Sequence, residues 1–201
     1  MSLLRLTVEE LLDRFASTDP TPGGGSAAAL SGALGAGLVA MVCAMPKTRS
    51  GSDEERERLE TALAWAREAG TRLRRLVDED TDAYDSVMAA YRLPKASEEE
   101  KGRRRDAIKA AMLRATDVPL QTAEACLVAL RAAEVAASCG NPGALSDART
   151  GGALALAGLR GGVENVRINV KADEPDTAEL LSRADAAWAD GLLLARELGL
   201  V

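Results

Sequence analysis

The chain of 201 residues contains no histidine. This absence excludes Ser-His-Asp triads, zinc sites of the HExxH type and any histidine general base. Acid–base chemistry must therefore come from Asp, Glu, Lys, Tyr or Cys side chains. Cysteine is also scarce, since Cys43, Cys126 and Cys139 are scattered and form no CxxC pair. This pattern is typical of buried thiols in a reducing compartment, and it argues against a structural zinc site.

Aromatic residues make up only 2% of a chain that is 47% hydrophobic. The core must therefore be built from Ala, Leu, Val and Gly, whose small side chains let helices approach closely. The net charge of −6 argues against a general nucleic-acid binder, which needs a basic surface. It leaves open a small anionic ligand held in a local basic pocket.

The N-terminus shows no basic-then-apolar leader, and we expect a cytoplasmic protein. Residues 26–45 carry no charge and are numerous enough to span a bilayer. However, they are rich in Ala and Gly and lack basic flanks. We therefore expect no membrane span here, but a helix at the centre of a bundle or at a subunit interface.

Helical patterning covers almost the whole chain and predicts one all-α domain over residues 1–201, a bundle of six to eight helices. Pro119 is expected to kink or restart the fourth helix, and a break near Gly70 is open. Val166–Val170 could form a strand by residue type, although no partner strand is visible. The predicted helices cover residues 7–17, 26–45, 53–93, 97–139, 144–169 and 173–199, the last starting at Asp173 and Pro175.

Local signals support several of these helix ends. Thr7 with Glu10, and Ser97 with Glu100, have the spacing of capping boxes. The second and fifth helices carry many glycines, which cost helix propensity. Close packing of these two helices, within a subunit or across a dimer, is the expected compensation.

A glycine-rich junction precedes the uncharged helix, at Pro22-Gly23-Gly24-Gly25-Ser26. It lacks the Gly-Lys-Ser/Thr of a Walker loop and the preceding strand of a dinucleotide fingerprint. It could be a tight turn that feeds a buried helix. It could equally hold an anion or a carbonyl edge, since the start of a helix presents unpaired N–H groups.

A dense acidic run lies on the third predicted helix, at Asp78, Asp80, Asp82 and Asp85. At about 100° per residue, Asp80 falls at the edge of the apolar face and the other three fall off it. Asp80 is therefore the carboxylate expected to be partly buried, and burial would raise its pKa into a useful range. A solvated acidic face is the alternative. The apolar face itself comprises Leu73, Val77, Tyr84, Met88 and Tyr91.

Several other polar residues can be explained either by a structural role or by a functional one. Lys95 follows the third helix, where a cation complements the helix dipole or places a positive charge beside a pocket. Asn141, Ser146 and Asp147 flank a helix start and could simply cap it. Asn165 and Asn169 share a helix face, where their amides could bind a heterocycle edge or a neighbouring helix. The run Arg103–Arg105 is a solvated face that could also steer an anion.

Seven short motifs occur in an order that resembles a known family. The ordered set is similar to the cyclodeaminase domain of formiminotransferase-cyclodeaminase and to stand-alone methenyltetrahydrofolate cyclohydrolases. The likeness extends over about residues 7–198, so we expect no formiminotransferase domain. The motifs are Pro22–Ser26, Asp80-x-x-x-Tyr84, Arg92–Lys95, Val118–Leu120, Gly140-Asn141, Ser146-Asp147 and Asn165–Asn169.

The resemblance implies an all-helical homodimer that binds a tetrahydrofolate derivative, with no metal and no cofactor beyond the folate. It implies that N10 attacks the formimino carbon on N5, so that ammonia leaves and 5,10-methenyltetrahydrofolate forms. By the resemblance, Asp80 is the catalytic acid, Asp147 a second candidate, and Lys95 an electrostatic partner, for instance of the glutamate tail. It also implies substrate contacts from Pro22, Gly23, Gly24, Gly25, Ser26, Tyr84 or Tyr91, Asn141, Ser146, Asn165 and Asn169.

Three other functions stay open at this stage. The same pocket could add water to methenyltetrahydrofolate and give 10-formyltetrahydrofolate, because both reactions act on the same N5–C–N10 bridge. A non-catalytic folate-binding or scaffold dimer would also explain the glycine-rich helices. A phosphate or anion sensor could use the glycine junction.

Overall fold

A computed structural model describes residues 2–170 and 175–201. This part of the chain holds six α-helices, two short 3-10 helices (Leu3–Arg5 and Pro142–Ala144) and no strand. The all-α prediction is confirmed, and the strand considered for Val166–Val170 does not form, because the fifth helix continues to Asn169 as predicted. The predicted start at Asp173 lies outside the described residues. The helices are α1 (Val8–Ala16), α2 (Gly24–Cys43), α3 (Asp53–Tyr91), α4 (Glu98–Cys139), α5 (Leu145–Asn169) and α6 (Pro175–Glu197).

Both capping boxes are confirmed. The Thr7 hydroxyl accepts from the Glu10 backbone at the start of α1, and the Ser97 hydroxyl accepts from the Glu100 backbone at the start of α4. In each box the glutamate reaches back to the backbone of its capping residue. These signals are local, so they could be located from sequence alone.

α3 and α4 form an antiparallel pair of 39 and 42 residues, roughly 60 Å long. α2 and α5 have only 20 and 25 residues and pack against the part of this pair nearest the start of α3. The remainder extends beyond the bundle, and residues 91–99 at its tip are all exposed. We call this extension, residues 84–111, the arm.

Pro119 lies inside α4 without ending it, so the expected restart does not occur. A proline has no N–H, and the carbonyl of Ala115 one turn earlier therefore lacks its usual helical partner. The side-chain amide of Asn169 on α5 donates to this carbonyl over 2.7 Å. The end of α5 is thus attached to α4 at the point where proline interrupts the helical hydrogen bonds.

Glycines bring α2 and α5 into backbone contact within one chain. A β-carbon at Gly35 would lie 2.5 Å from the carbonyl of Gly151, and one at Gly158 would lie 2.6 Å from the carbonyl of Ala28. The Ser31 hydroxyl on α2 also donates to the Leu154 carbonyl on α5 over 2.8 Å. This close approach confirms that packing compensates the low helix propensity of these glycines.

The outer side of α2 carries no charge and is not covered by the described chain. Leu34 and Met41 are 57% and 42% exposed, and Ala27 and Gly37 on the same side are exposed as well. α2 is the one helix in the described residues that is long and apolar enough to cross a membrane, but half of it is buried inside the bundle. A core helix of a bundle has the same properties.

Candidate functional site

The carboxylate of Asp80 lies against the first turn of α2. Its Oδ2 accepts a hydrogen bond from the backbone nitrogen of Ser26 over 2.9 Å. The Ser26 hydroxyl is 3.1 Å from the same oxygen, 2.8 Å from the Val77 carbonyl and 3.4 Å from the Thr81 hydroxyl. Asp80 therefore caps α2 from a neighbouring helix, because Gly23 at the N-cap has no side chain to do so.

Burial raises the pKa of Asp80 above its ordinary value. The two hydrogen bonds from Ser26 act in the opposite direction, but the loss of solvent around the charged form outweighs them. The partial burial that the helical wheel predicted is thus confirmed. A carboxyl group with a raised pKa is suited to donate or accept a proton near neutral pH.

The Ser26 hydroxyl can serve either protonation state of Asp80. This hydroxyl has a single proton but lies within hydrogen-bonding distance of two oxygens, Val77 O and Asp80 Oδ2. When Asp80 is ionised, one of these contacts must lack a proton. When Oδ2 carries a proton, it donates to the serine oxygen while the serine donates to Val77, and both hydrogen bonds form.

Glycine is required where α2 approaches the carboxylate. A β-carbon at Gly25 would collide with Oδ1 of Asp80. No described residue accepts from the backbone N–H groups of Gly24 and Gly25, which belong to the unpaired first turn of the helix. Asn165 lies beside them, since its amide nitrogen would be 3.5 Å from a β-carbon at Gly24. The carboxyl group, two free N–H donors and an amide therefore lie together.

Beyond Asp80, one face of α3 is partly exposed, and we call its residues Tyr84, Met88 and Tyr91 the wall of the site. Tyr84 and Tyr91 share a helix face with Asp80 but are 38% and 43% exposed, whereas Met88 is half-buried. Leu73 and Val77 on the same face are fully buried, whereas the two tyrosines are open to solvent. The reason is that α2 begins at Gly24, level with Asp80, so nothing from α2 covers the face beyond that point.

Three of the predicted site residues lie at the opposite end of the bundle. Asp147 and Asn165 are separated by 18 residues of α5, or about 27 Å. Asn141 caps the 3-10 helix by accepting from Gly143, and its amide is 3.9 Å from the sulfur of Met45 beyond the end of α2. Ser146 is exposed beside Asp147. One chain does not bring these residues together with Asp80.

Lys95 is also remote from Asp80 in one chain. It is exposed and follows α3, whose last residue, Tyr91, is already about 16 Å along the helix axis from Asp80. A direct role for Lys95 beside its own Asp80 is therefore not supported.

The two paired asparagines of α5 have different surroundings. Asn169 donates to the Ala115 carbonyl on α4. Of the two roles expected for its amide, this is the bond to a neighbouring helix. Asn165 donates to Gly161 in its own helix over 2.8 Å, and no described residue donates to its side-chain oxygen. Neither side-chain oxygen has a described donor, and the two residues differ in place: Asn165 lies beside the first turn of α2, whereas Asn169 is attached to α4. Pro22, just before the junction, is buried.

Sequence reasoning missed Thr81, and it named Arg104 only as part of the basic run Arg103–Arg105. Thr81 contacts the Ser26 hydroxyl, and it follows Asp80 directly in the sequence. Arg104 lies over Tyr91, and its location depends on how α4 returns along α3. Within the described part of the chain, no group of three or more His, Cys, Asp or Glu side chains could hold a metal ion.

Comparison with known proteins identifies the family of this helical, acid-centred site. The model of the formiminotransferase-cyclodeaminase family matches residues 7–186. The chain therefore belongs to the formiminotransferase-cyclodeaminase family, as the ordered motifs indicated.

Three relatives illustrate the likeness. The methenyltetrahydrofolate cyclohydrolase of Methylorubrum extorquens is 42% identical over 165 residues, which cover 82% of this chain and 79% of that protein. The formimidoyltransferase-cyclodeaminase of Rattus norvegicus is 34% identical over 170 residues, 85% of this chain but only 31% of the rat protein. The crystal structure of formiminotetrahydrofolate cyclodeaminase from Thermotoga maritima has a TM-score of 0.83 at 27% identity and covers 98% of this chain and 95% of that one.

Proposed function

We propose that this protein is a tetrahydrofolate one-carbon enzyme that converts 5-formiminotetrahydrofolate to 5,10-methenyltetrahydrofolate and ammonia. The observation that carries the proposal is the half-buried Asp80 carboxyl group, which lies against the first turn of α2 and whose pKa is raised by burial. Ring closure with loss of ammonia needs an acid at the start of the reaction, and this group is one.

The proton balance of the reaction explains why a neutral carboxyl group is useful. The N10 lone pair attacks the formimino carbon and forms the new C–N10 bond. The exocyclic nitrogen must gain two protons before the C–N bond breaks and ammonia leaves. One comes from N10 and one from outside the substrate. Asp80 supplies the second proton, ends the cycle as a carboxylate and is reprotonated by solvent.

The remaining residues bind and orient the folate. The free N–H groups of Gly24 and Gly25 and the side-chain oxygen of Asn165 offer donors and an acceptor to the pterin edge. Tyr84, one turn beyond Asp80, provides a ring on which an aromatic part of the substrate can stack. The proposal requires no cofactor beyond the folate.

We also propose that the protein works as a homodimer in the cytoplasm, with the uncharged outer side of α2 as the interface. A two-fold axis across α2 would place the start of one α2 near the end of its partner's. Residues from the remote end, Asn141, Ser146 and Asp147, would then lie closer to the partner subunit's Asp80 than to the Asp80 of their own chain. The same pairing would cover Leu34 and Met41.

A methenyltetrahydrofolate cyclohydrolase is the second candidate. The 42% identity to a protein of that name supports it. In that reaction water adds to the methenyl carbon, and the N5–C bond opens to give 10-formyltetrahydrofolate. The water must lose a proton, so the reaction would use Asp80 as a carboxylate rather than as an acid.

A paired assay on purified protein tests the proposal. One sample receives 5-formiminotetrahydrofolate and is followed by the rise of methenyl absorbance and by ammonia release. The other receives methenyltetrahydrofolate and is followed by loss of that absorbance above the spontaneous rate. We expect activity in the first. Activity in the second alone would make the protein a cyclohydrolase, and no turnover in either, with folded protein, would favour a non-catalytic folate-binding dimer.

A further inference from the structure

The arm carries an arginine, Arg104, beside Tyr91, at the end of the α3 face that runs from Asp80 through Tyr84. The guanidinium of Arg104 lies 5.6 Å from the centre of the Tyr91 ring and donates to the Tyr91 carbonyl over 3.2 Å. Two contacts from α4 to the end of α3 thus hold both the charge and the ring. Tyr91 still exposes 43% of its surface.

The neighbouring cations on α4 differ from Arg104 in their partners. Lys101 pairs with Glu98 over 2.7 Å, and Arg103 pairs with Glu99. Arg104 forms no ion pair with a carboxylate in the described residues. Glu100, one turn before it, accepts from the backbone of Ala96 and Ser97 in the capping box. The guanidinium is therefore free to pair with an anion from outside the chain.

The spacing along α3 matches the order of groups in a folate. Taking 1.5 Å per residue, Tyr84 lies about 6 Å and Tyr91 about 16 Å along the helix from Asp80, all on one face. In a reduced folate, the N5–C–N10 bridge is followed by a benzoyl ring and then by the glutamate carboxylates. With the bridge at Asp80, the benzoyl ring reaches Tyr84 and the carboxylates approach Arg104.

We propose that Tyr91 and Arg104 form the subsite that binds the glutamate carboxylates of the folate, with Arg104 as the specificity-determining cation. This inference rests on the proposed folate substrate. It assigns the tail to Arg104, which the fold holds in place, rather than to Lys95 at the exposed tip of the arm. It extends the site from the acid at Asp80 to the far end of α3.

Equilibrium binding tests the subsite without relying on turnover. The ligands are 5-formyltetrahydrofolate and 5-formyltetrahydropteroate, which differ only in the glutamate. Calorimetry compares the wild type with Arg104→Gln. Arg103→Gln and Arg105→Gln remove the same charge from other faces of α4 and serve as matched controls.

We expect the wild type to bind the folate about tenfold or more tightly than the pteroate, as for a charged hydrogen bond. Arg104→Gln should lose most of this preference and keep its affinity for the pteroate, whereas both controls should keep the preference. An unchanged preference in Arg104→Gln, an equal loss for both ligands, a preference abolished by Lys95→Gln instead, or no binding of either ligand would overturn the proposal. Binding through Arg104 by a protein without turnover would refute the catalytic proposal and leave this subsite standing.

Discussion

Asp80 and Ser26, which are 54 residues apart in the chain, are joined by two contacts to one carboxylate oxygen. The backbone contact satisfies an unpaired N–H of α2, so Asp80 has a structural role whatever chemistry it performs. The hydroxyl contact fits either protonation state, because the serine can donate to the carboxylate or, with its proton directed to Val77, accept from the acid. Structural and catalytic roles can be separated by substitutions that keep the shape of the side chain and remove its proton.

Asp80→Asn should abolish most of the activity while the protein stays folded. The amide keeps an oxygen that can accept from Ser26, but it cannot deliver a proton to the leaving nitrogen. We expect the turnover rate to fall by about 10²–10⁴-fold, the usual contribution of a general acid. Asp82→Asn, at an exposed position on the same helix, should retain wild-type turnover. Full turnover by Asp80→Asn in the formimino assay would rule out the catalytic assignment.

The free energy of unfolding should depend on pH in the way that a raised Asp80 pKa requires. Below the ordinary value of 3.8, Asp80 is protonated in the folded and the unfolded chain and has no effect. As the pH rises above that value, the unfolded chain loses the proton first, so this residue lowers the free energy of unfolding until the folded pKa is passed. The melting temperature of Asp80→Asn relative to the wild type should therefore increase with pH. A difference that is constant with pH would contradict a raised pKa.

Gly25→Ala should damage the site because its β-carbon would overlap with the Asp80 carboxylate. Either the acid leaves its position or α2 shifts, and overpacking of this kind costs about 1–3 kcal/mol of stability. Gly102→Ala is the control, since this helical glycine has open space around it and should gain up to about 1 kcal/mol. Denaturant unfolding and turnover are measured together. Wild-type stability and turnover in Gly25→Ala would show that the contact is not needed.

Pro119 and Asn169 should be energetically coupled. Asn169→Ala leaves the Ala115 carbonyl without a donor, at a cost of about 1–3 kcal/mol. In a Pro119→Ala background the new N–H can bond to that carbonyl, and the loss of the Asn169 amide should then cost less. A double-mutant cycle in denaturant measures the difference. Additive effects of the two substitutions would mean that the amide does not replace the missing helical hydrogen bond.

Leu34→Glu should disrupt the proposed dimer. It places a charge in the middle of the uncharged outer side of α2, whereas Leu193→Glu on α6 changes an equally exposed leucine elsewhere. Sedimentation should show a dimer for the wild type and for the α6 variant, and monomer for Leu34→Glu. If the site is shared between subunits, turnover should fall with the dimer fraction. A monomeric wild type would refute the proposed assembly.

Local signals predicted the helices well, and contacts between helices explain the errors. The capping boxes at Thr7 and Ser97 depend on residues three apart and were correctly located. The restart expected at Pro119 depends on whether another group satisfies the Ala115 carbonyl, and that donor comes from α5. The strand-like residues of Val166–Val170 lie within or next to α5 because this segment packs against α4.

The site was also predicted only in part, because local patterns show which face of a helix is buried but not which helices contact each other. The wheel placed Asp80 at the edge of the buried face correctly, because this depends only on the helical repeat. It could not show that α2 begins level with Asp80, which leaves Tyr84 and Tyr91 partly exposed. The helical wheel also could not show that Asp147 and Asp80 lie at opposite ends of the bundle. That placement depends on which helix ends are adjacent, and the sequence does not specify this. Whether these residues perform the roles assigned to them stays a prediction.

The glycine contacts between α2 and α5 have a consequence for how this site can diversify. Backbone touches backbone there, so the spacing between Gly24 and Asn165 is set without adjustable side chains. The residues of the wall on α3 and the arginine on α4 are side chains at exposed or half-buried positions, where substitution costs less stability than in the core. A change of ligand should therefore arise by substitution of these side chains on α3 and α4. The packed backbones of α2 and α5 would stay unchanged and keep Asp80 beside the N5–C–N10 bridge of the substrate.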